Sequence, residues 1–319
     1  MDEKQALENA LQKLAQSQPG STAYTNNRPV RIPGKLDGKT AGVCLGTICP
    51  HVPTKRWEDA IADGRLQRGS KPIDLATIML AGERIEFFMP NTVEPPIAYE
   101  IQVLYMDAHL IAINKPAPLP VHPCGRFNKN SLQWLLEQVW PSEKLRPAHR
   151  IDAGTTGLLL MSRSREAARF VQPQFERRSV EKAYLARVEG SPKEEHFISK
   201  APIKRHENGS ARMVTGDGDS AETSFELLER YEDGTSLLCA RPKSGRTNQI
   251  RVHLKDAGLP ILGDETYGLG ADDLGAEPAN HDRLHLHSWQ LAFDHPANGE
   301  RCIWSSPRPK WAQESADES

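Results

Sequence analysis

The stretch that most constrains this chain runs from residue 147 to residue 161 and reads PAHRIDAGTTGLLLM. Its two glycines, Gly154 and Gly157, permit a tight turn with backbone angles that other residues rarely adopt. The apolar run that begins at Leu158 predicts a buried strand. Asp152 is therefore expected on a loop that a core strand anchors, where a rigid scaffold can direct a reactive side chain.

This pattern allows two interpretations of Asp152. In the plainer one, its carboxylate pairs with Arg150 or caps a turn. In the other, the carboxylate is a reactive group. The order His-Arg-Ile-Asp-x-x-Thr-Thr-Gly-Leu-Leu-Leu, which begins at His149, resembles the catalytic motif of the RluA-type RNA pseudouridine synthases. That resemblance implies that Asp152 is the essential catalytic residue.

A second stretch, residues 180–190, alternates as a strand and reads VEKAYLARVEG. The alternation puts Lys182, Tyr184 and Ala186 on one face of this strand. A tyrosine on such a face usually belongs to the core. The order Lys-x-Tyr-x-Ala-x-Val-x-Gly resembles the second motif of the same family, which implies that Tyr184 packs against the target base.

A third stretch, residues 244–254, reads SGRTNQIRVHL. It predicts a helix that starts after a glycine and carries the polar side chains Arg246, Gln249 and Arg251. The N-terminus of such a helix can bind an anion. The stretch resembles the third motif of the family, Gly-Arg-Thr-His-Gln-Ile-Arg-Val-His, and this implies that Arg251 pairs with Asp152. Asn248 stands where the motif usually has a histidine.

The resemblance covers about residues 97–308. It includes the entry KPAPLPVHP at residues 115–123 and, near its end, LPILGDETYG at residues 259–268. The implied fold is α+β, with a pseudouridine synthase catalytic domain on a mixed, largely antiparallel sheet and an active cleft across its middle. The strand-rich middle and end of the chain favour this fold class independently.

The sequence predicts four segments. Residues 1–39 are expected to form an N-terminal helix and a linker. Residues 40–90 resemble a degenerate form of the small α-L (ribosomal-protein-like) RNA-binding module, and a plain structural extension is an equally open interpretation. Residues 97–308 are expected to form the catalytic domain, and residues 310–319 a disordered tail.

Composition indicates where such a chain works. Apolar residues make up 38% of it and charged residues 26%, which is typical of a globular protein. No apolar run approaches the roughly 20 residues of a membrane helix, and no signal-peptide core precedes the fold. The five cysteines form no Cys-x-x-Cys pair, so reduced thiols are expected. The expected location is cytoplasmic, or the organellar matrix in a eukaryote.

The charges of the chain are unevenly distributed. The net charge is only −2, yet residues 144–187 carry ten basic side chains against four acidic ones. A basic face on a nearly neutral protein suits a polyanionic partner. A solvated surface helix would account for part of the same count.

The family resemblance implies a reaction that converts a uridine of rRNA or tRNA to pseudouridine. The base is detached, turned and rejoined through carbon, after the uridine has left its stack. The implied catalytic residues are Asp152, Tyr184 and Arg251. The candidate RNA-binding residues are Arg150, His149, Thr156, Lys182, Arg246 and Gln249.

Features of other function classes are few in this sequence. No P-loop or dinucleotide fingerprint is present, so we expect no cofactor and no metal. The expected partner is RNA, with no membrane contact, and the protein is expected to be a monomer. The pair His122 and Cys124 could indicate a cysteine enzyme, but the surrounding prolines favour a fixed loop. The pair His285 and His287 could indicate zinc, but no cluster of further ligands completes a site. The alternative function is a non-catalytic RNA-binding or RNA-chaperone protein on the same fold.

Overall fold

The computed structural model describes residues 2–50, 52–206, 212–268 and 284–313. The chain divides into two units, a smaller one of Gly20–Glu94 and a larger one of Met1–Pro19 with Pro95–Ser319. The helices of the described residues are α1 (Glu3–Gln16), α2 (Ala41–Ile48), α3 (Thr54–Ala62), α4 (Leu132–Val139), α5 (Arg165–Glu176) and α6 (Gln249–Asp256). None of these helices is both long and apolar enough to cross a membrane.

The smaller unit combines two helices with short antiparallel strands. Its strands are β1 (Tyr24–Asn27), β2 (Val30–Arg31), β3 (Lys39–Thr40), β4 (Leu66–Arg68), β5 (Lys71–Pro72), β6 (Ile78–Met79) and β7 (Arg84–Thr92). The strand order is β1-β7-β4-β5, with β2 also on β7 and β3 paired with β6. Leu45 of α2, Trp57 of α3 and Ile85 of β7 lie in its buried core. Helix α3 ends at Ala62, and Gly64, whose φ is +66°, lies just beyond its end.

The structure differs from the sequence prediction in residues 21–39, which we expected to be a linker. Strands β1 and β2 lie in this segment and pair with β7, and Asn26 is buried. The segment is rich in Asn, Pro and Gly, so its side chains carry no strand signal. Its pairing rests on backbone hydrogen bonds to a neighbouring strand, which composition does not reveal.

The larger unit is built on a ten-stranded sheet within the described residues. Its strands are β8 (Gln102–Met106), β9 (Leu110–Lys115), β10 (Arg146–Pro147), β11 (Thr156–Ser162), β12 (Glu181–Glu189), β13 (His196–Ser199), β16 (Thr223–Arg230), β17 (Thr235–Pro242), β18 (Leu286–Asp294) and β19 (Arg301–Ser305). Strands β14 (Ile203–Arg205) and β15 (Met213–Thr215) pair with each other outside this sheet. The order is β13-β16-β17-β12-β18-β11-β9-β8, with β10 beside β11 and β19 beside β18.

One pairing makes this sheet mixed. Strands β11 and β18 run parallel, with Thr156 opposite His287, whereas the other paired strands of the sheet are antiparallel. The predicted α+β class with a mixed, largely antiparallel sheet is thus confirmed. The parallel pair lies at the point where the loop of Asp152 enters the sheet.

Strand β11 is buried on both faces, as its apolar run predicted. Leu159 packs in the main core with α1 and α4, while Leu158 packs on the opposite face with Val171 of α5. Helix α5 begins after an N-terminal cap, where the Ser164 hydroxyl accepts a hydrogen bond from the Ala167 backbone at 3.0 Å. The sheet therefore holds β11 rigidly between two packed layers.

The N-terminal helix α1 belongs to the larger unit rather than to a separate N-terminal segment. Leu7, Leu11 and Ala15 are buried in the main core. The carboxylate of Glu8 accepts a hydrogen bond from the Val103 backbone at 2.7 Å. Sequence periodicity identified the helix but could not show which surface its apolar stripe covers.

The C-terminal end is packed as far as residue 312. Lys310–Ala312 forms a short 3-10 helix, and Ala312 is buried. The Trp311 ring stacks on His285 with centroids 4.9 Å apart. We expected a disordered tail from residue 310; the aromatic contact explains the difference for its first residues, and residues 314–319 lie outside the described residues.

Candidate active site

A cleft of about 420 Å³ opens on the larger unit, above the start of β11. Most of its lining comes from four segments: the loop before β11, the end of α5, the start of β12, and the approach to α6 together with its first turn. Asp152, Tyr184 and Arg251, which are far apart in sequence, all lie in its wall. The three residues predicted as catalytic are therefore brought together by the fold.

The loop that carries Asp152 is fixed from both ends. The Ala153 carbonyl accepts hydrogen bonds from the Leu119 backbone at 3.0 Å and from the Lys115 ammonium at 3.1 Å. At the other end, Gly157 has φ +100°, and a Cβ there would lie 2.2 Å from the Ser288 carbonyl oxygen. Only glycine fits that close approach of backbones. The position of Asp152 is thus set by the parallel strand pair and by a buried lysine.

Lys115 was not singled out by the sequence prediction. It is fully buried at the end of β9, and its ammonium donates to the carbonyl oxygens of Pro116, Leu119 and Ala153 at 2.7–3.1 Å. Burial lowers the pKa of Lys115 to about 7, and the negative charge of Asp152 opposes this shift. The sequence feature that could have identified Lys115 is its position at the end of an apolar strand and directly before a proline.

Arg251 contacts two carboxylates. Its Nη1 lies 3.4 Å from Asp152 Oδ2, while its Nε and Nη2 donate to the two oxygens of Asp264 at 2.7 Å each. Burial acts to lower the pKa of Arg251, but Asp264 and, to a smaller extent, Asp152 raise it above its ordinary value. Arg251 is therefore a permanent cation, held by Asp264 and directed at Asp152.

Asp264 is the second residue that the sequence prediction missed. Its side chain is fully buried and also accepts hydrogen bonds from the backbone of Thr266 and Tyr267 at 3.0 Å. It lies in the predicted stretch LPILGDETYG, in which an acidic residue follows an apolar run and a glycine. Burial of such a carboxylate requires a cationic partner, but the sequence does not show which cation that is.

Asn248, which replaces the histidine of the motif, supports the same arrangement. Its backbone is left-handed, with φ 56°, a conformation that asparagine tolerates better than most residues. Its side chain accepts a hydrogen bond from Arg251 at 3.2 Å and donates one to the Tyr267 hydroxyl at 3.0 Å. The asparagine therefore links Arg251 to Tyr267. The Arg251 guanidinium lies over the Tyr267 ring, with its Cζ 4.9 Å from the ring centroid.

Tyr184 lines the cleft and is otherwise buried, with 8% of its surface exposed. Burial raises the pKa of Tyr184 to about 12; the Asp152 charge adds to this shift, and a hydrogen bond with Ser288 opposes it. The phenol is thus neutral at physiological pH. A neutral aromatic face beside a carboxylate and an arginine can accommodate a planar, polar base.

The predicted RNA-binding residues separate into two groups. Arg150, Lys182 and Arg246 line the cleft with cationic side chains. Lys182 donates to the Ser244 carbonyl at 2.8 Å, and Arg246 pairs with Asp219 at 3.0 Å. These three side chains have the charge and position to contact a polyanion.

The other three predicted RNA-binding residues have internal partners. Gln249 is buried, and its side chain accepts from the Ser244 hydroxyl at 2.7 Å. His149 stacks on Phe175, and burial lowers the pKa of this histidine far below its ordinary value, so its ring is neutral. Thr156 does not line the cleft, because its hydroxyl lies 2.7 Å from His287 Nδ1 beneath the loop. Sequence spacing could not reveal these inward orientations.

The two histidines of the His-x-His stretch have separate partners. His287 bridges the hydroxyl groups of Thr156 and Ser306, whereas His285 stacks on Trp311. Within the described parts of the chain, no three His, Cys, Asp or Glu side chains converge as ligands of a metal ion would. The stretch therefore supports the sheet around β18.

Comparisons with known proteins agree with this geometry. A family model described as RNA pseudouridylate synthase matches residues 109–256. Ribosomal large subunit pseudouridine synthase D of Nitrosomonas europaea is 32% identical over 309 residues, which cover 92% of this chain and 88% of that protein. Ribosomal large subunit pseudouridine synthase C of Vibrio parahaemolyticus is 36% identical over 201 residues, covering 63% of this chain and 64% of that protein.

A solved structure shows the same fold. Human RNA Pseudouridylate Synthase Domain Containing 1 superposes with a TM-score of 0.56 at 25% sequence identity, covering 68% of this chain and 87% of that one. The larger unit therefore has a pseudouridine synthase fold. With the extended match to the Nitrosomonas protein and the three motifs assembled in one cleft, the chain belongs to the RluA-type RNA pseudouridylate synthase family.

Proposed function

We propose that this protein isomerises specific uridines of ribosomal or transfer RNA to pseudouridine, with Asp152 as the essential carboxylate. The observation that supports this most directly is the position of Asp152, which lies in a cleft beside Arg251 and Tyr184. The two bacterial relatives described above are named ribosomal large subunit pseudouridine synthases. Ribosomal RNA is therefore the first substrate to test.

The reaction changes the bond that joins the base to the sugar. The bond between the sugar carbon C1′ and uracil nitrogen N1 breaks, the base turns, a bond from C1′ to C5 forms, and the proton on C5 is lost while N1 gains one. The uridine must first leave its stack, which costs a few kcal/mol. Asp152 acts either on the sugar carbon or on the uracil ring, and both routes need an ionised carboxylate.

Arg251 supplies the counter-charge of that carboxylate. Enclosure of the cleft by RNA removes water from Asp152, and desolvation favours the protonated form of a carboxylate. A fixed guanidinium at 3.4 Å opposes this effect. Because Asp264 holds the guanidinium with two shorter bonds, Arg251 does not have to reorganise during the reaction.

Tyr184 packs its ring on the uracil and takes part in the removal of the C5 proton. Its phenol is neutral, so it can accept the C5 proton only while its own hydroxyl proton leaves, and the proton that N1 gains balances this loss. Ser288 lies opposite Tyr184 in the sheet register, and hydrogen bonding with Ser288 acts to lower the pKa of the phenol. Arg150, Lys182 and Arg246 then hold the RNA around the cleft.

We also propose a role for each segment of the chain. Residues 97–308 are the catalytic domain, and residues 40–90 are a degenerate α-L module that contacts RNA through the cationic side chains at the start of α3, Lys55 and Arg56. The succession of α2, α3 and the β4–β5 hairpin supports this assignment of the module. The protein acts as a monomer without metal or cofactor, in the cytoplasm or an organellar matrix.

The function is tested by pseudouridine mapping of rRNA and tRNA from cells with and without the gene. The deletion strain is complemented with wild type or with Asp152→Asn. A site that is lost on deletion and restored by wild type alone identifies both the activity and the substrate. If no site changes while Asp152→Asn rescues a growth defect, the protein acts as a non-catalytic RNA-binding protein instead.

A further inference from the structure

Two of the four arginines that line the cleft have no partner within the protein. Arg246 and Arg251 each form an ion pair with an aspartate. Across the described residues, the guanidinium groups of Arg150 and Arg178 form neither an ion pair nor a hydrogen bond, although both residues line the cleft. Arg150 belongs to the motif around Asp152. Arg178 belongs to none of the three motifs, so its role is open.

The backbone of Arg178 is unusual for its residue type. Its φ is +61°, in the left-handed region that glycine adopts without strain and most other residues avoid. A backbone hydrogen bond from Arg178 to the Phe175 carbonyl at 3.2 Å closes the turn that follows α5. This turn brings Phe175, Glu176 and Arg178 to the wall of the cleft. A strained residue at the wall of a functional cleft is a candidate for a role that its side chain performs.

A second cation lines the same cleft as Arg178. Lys182, four residues after Arg178, is partly buried and uses its ammonium to donate to the Ser244 carbonyl at 2.8 Å. Burial and the positive charge of Arg178 lower the pKa of Lys182 to about 8. The two acidic residues in the cleft wall do not offset this charge: Asp152 pairs with Arg251, and Glu176 forms no ion pair with either cation.

We propose that Arg178 and Lys182 form a subsite for one backbone phosphate of the RNA, next to the nucleotide that enters the cleft at Asp152. The proposal rests on the RNA-modifying function proposed above and names the part of the substrate that this side of the cleft holds. A planar guanidinium can bind two phosphate oxygens at once, and an ammonium adds a compact charge to the same group. The bound phosphate would also relieve the repulsion between the two cations.

The test measures the affinity for an in-vitro transcript of large-subunit ribosomal RNA over a range of salt concentrations. Arg178→Gln is compared with wild type and with Arg169→Gln, which removes an exposed arginine of α5 that does not line the cleft. Arg178→Gln is expected to bind roughly tenfold more weakly, as the loss of one charge-assisted hydrogen-bonded contact implies. The slope of log affinity against log salt should decrease by about 0.7–0.9.

A second variant separates binding from folding. Arg178→Gly relieves the left-handed backbone, so it should melt at or above the wild-type temperature while binding RNA as weakly as Arg178→Gln. At saturating RNA, both Arg178 variants should keep the wild-type kcat, because the subsite lies outside the group of Asp152, Tyr184 and Arg251, and only KM should rise. Arg169→Gln should change neither parameter.

The subsite is disproved if Arg178→Gln matches Arg169→Gln in RNA affinity and in the slope of log affinity against log salt concentration. It is also disproved if this slope is already near zero for wild type. Affinity and slope do not require turnover, so this result is independent of the proposed function. If wild type produces no pseudouridine yet shows the expected loss on Arg178→Gln, the catalytic proposal fails and the phosphate subsite stands. If wild type is active and Arg178→Gln binds normally, only the subsite fails.

Discussion

At the scale of single residues, the carboxylate of Asp152 depends on an arginine that another carboxylate holds. Asp264 makes the two short bonds to Arg251, at 2.7 Å, and Asp152 makes one longer contact at 3.4 Å. This unequal sharing leaves Asp152 partly exposed to the cleft while the cation stays in place. Asp264 is therefore a positioning residue that acts through Arg251.

Replacement of Asp264 tests this dependence. Asp264→Asn leaves a buried guanidinium without its main counter-charge, so we expect a loss of about 3 kcal/mol in unfolding free energy and a lower kcat. Urea denaturation and steady-state kinetics measure the two effects. Asp219→Asn, which breaks the exposed pair with Arg246, is the matched control and should cost less than about 1 kcal/mol. Equal losses in the two variants would contradict the positioning role.

Tyr184 offers a separate test at the same scale. Tyr184→Phe retains the ring that packs on the base but removes the hydroxyl. RNA affinity should stay unchanged while kcat falls by roughly 100-fold, the contribution typical of a positioned proton-transfer group. Single-turnover kinetics with the mapped RNA substrate provide the measurement, and Tyr184→Leu, which loses the ring as well, should weaken binding too. Full activity of Tyr184→Phe would show that the hydroxyl has no chemical role.

At the scale of secondary-structure elements, the parallel pairing of β11 with β18 fixes the position of the loop that carries Asp152 relative to the sheet. Gly157 allows the two backbones to approach so closely that a Cβ would lie 2.2 Å from the Ser288 carbonyl. The neighbouring contact between Thr156 and His287 fastens the same end of the strand. A displacement of this pair would move Asp152 relative to Arg251, which lies on a different element.

Gly157→Ala should therefore be severely destabilising. Left-handed strain and a backbone clash act together, and we expect a loss of at least about 3 kcal/mol. Gly234→Ala is the control, because Gly234 has φ +81° but no atom within 4 Å of an added Cβ. It should lose only the strain energy, about 1–2 kcal/mol. Similar melting temperatures for the two variants would show that the strands can separate without cost.

At the scale of the whole molecule, the smaller unit is inserted between α1 and the rest of the larger unit. The two ends of the larger unit lie close together at the insertion, since the Gln18 side chain donates to the Ile97 carbonyl at 2.7 Å and accepts from the Ile97 backbone at 2.8 Å. A chain that joins Pro19 to Pro95 through a short Gly/Ser linker can thus keep the whole core of the larger unit.

We expect this shortened chain to fold with a single cooperative transition and to retain pseudouridine formation. A second shortened chain that also lacks residues 1–19 should not fold, because it removes Leu7 and Leu11 from the main core. Circular dichroism melting distinguishes the two chains. An RNA affinity of the first chain equal to that of the full protein would contradict an RNA-binding role of the smaller unit.

Acid sensitivity is a further property of the whole molecule. Burial lowers the pKa of His287 to about 4, against 6.5 for an ordinary histidine. Between pH 6.5 and 4 the unfolded chain binds this proton and the folded chain does not, so stability falls as the pH is lowered through this window. At pH 5 the loss from His287 amounts to about 2 kcal/mol.

Urea denaturation at pH 7 and pH 5 measures this loss. His287→Asn should flatten the pH dependence by about that amount, since asparagine does not titrate. His196→Asn, at an exposed position of β13, should leave the pH dependence as in wild type. An unchanged dependence in His287→Asn would place the acid sensitivity elsewhere.

The sequence by itself determined the family, the fold class and the three catalytic candidates. Local patterns carry this information: a Gly-rich loop before the apolar strand of Leu158, an alternating strand around Tyr184, and a helix that contains Arg251. Each pattern reflects the geometry of one element and is complete within about 15 residues. The roles that these residues have in the reaction remain predictions.

Only the tertiary structure decided which buried groups face one another. Lys115 beneath the loop, Asp264 behind Arg251 and the inward orientation of Gln249 each involve partners from separate elements. The same holds for β1 and β2, whose pairing with β7 left no trace in composition. A buried polar group requires a partner, but the sequence shows only that requirement. The identity of the partner depends on distances between elements, which packing sets and local patterns do not contain.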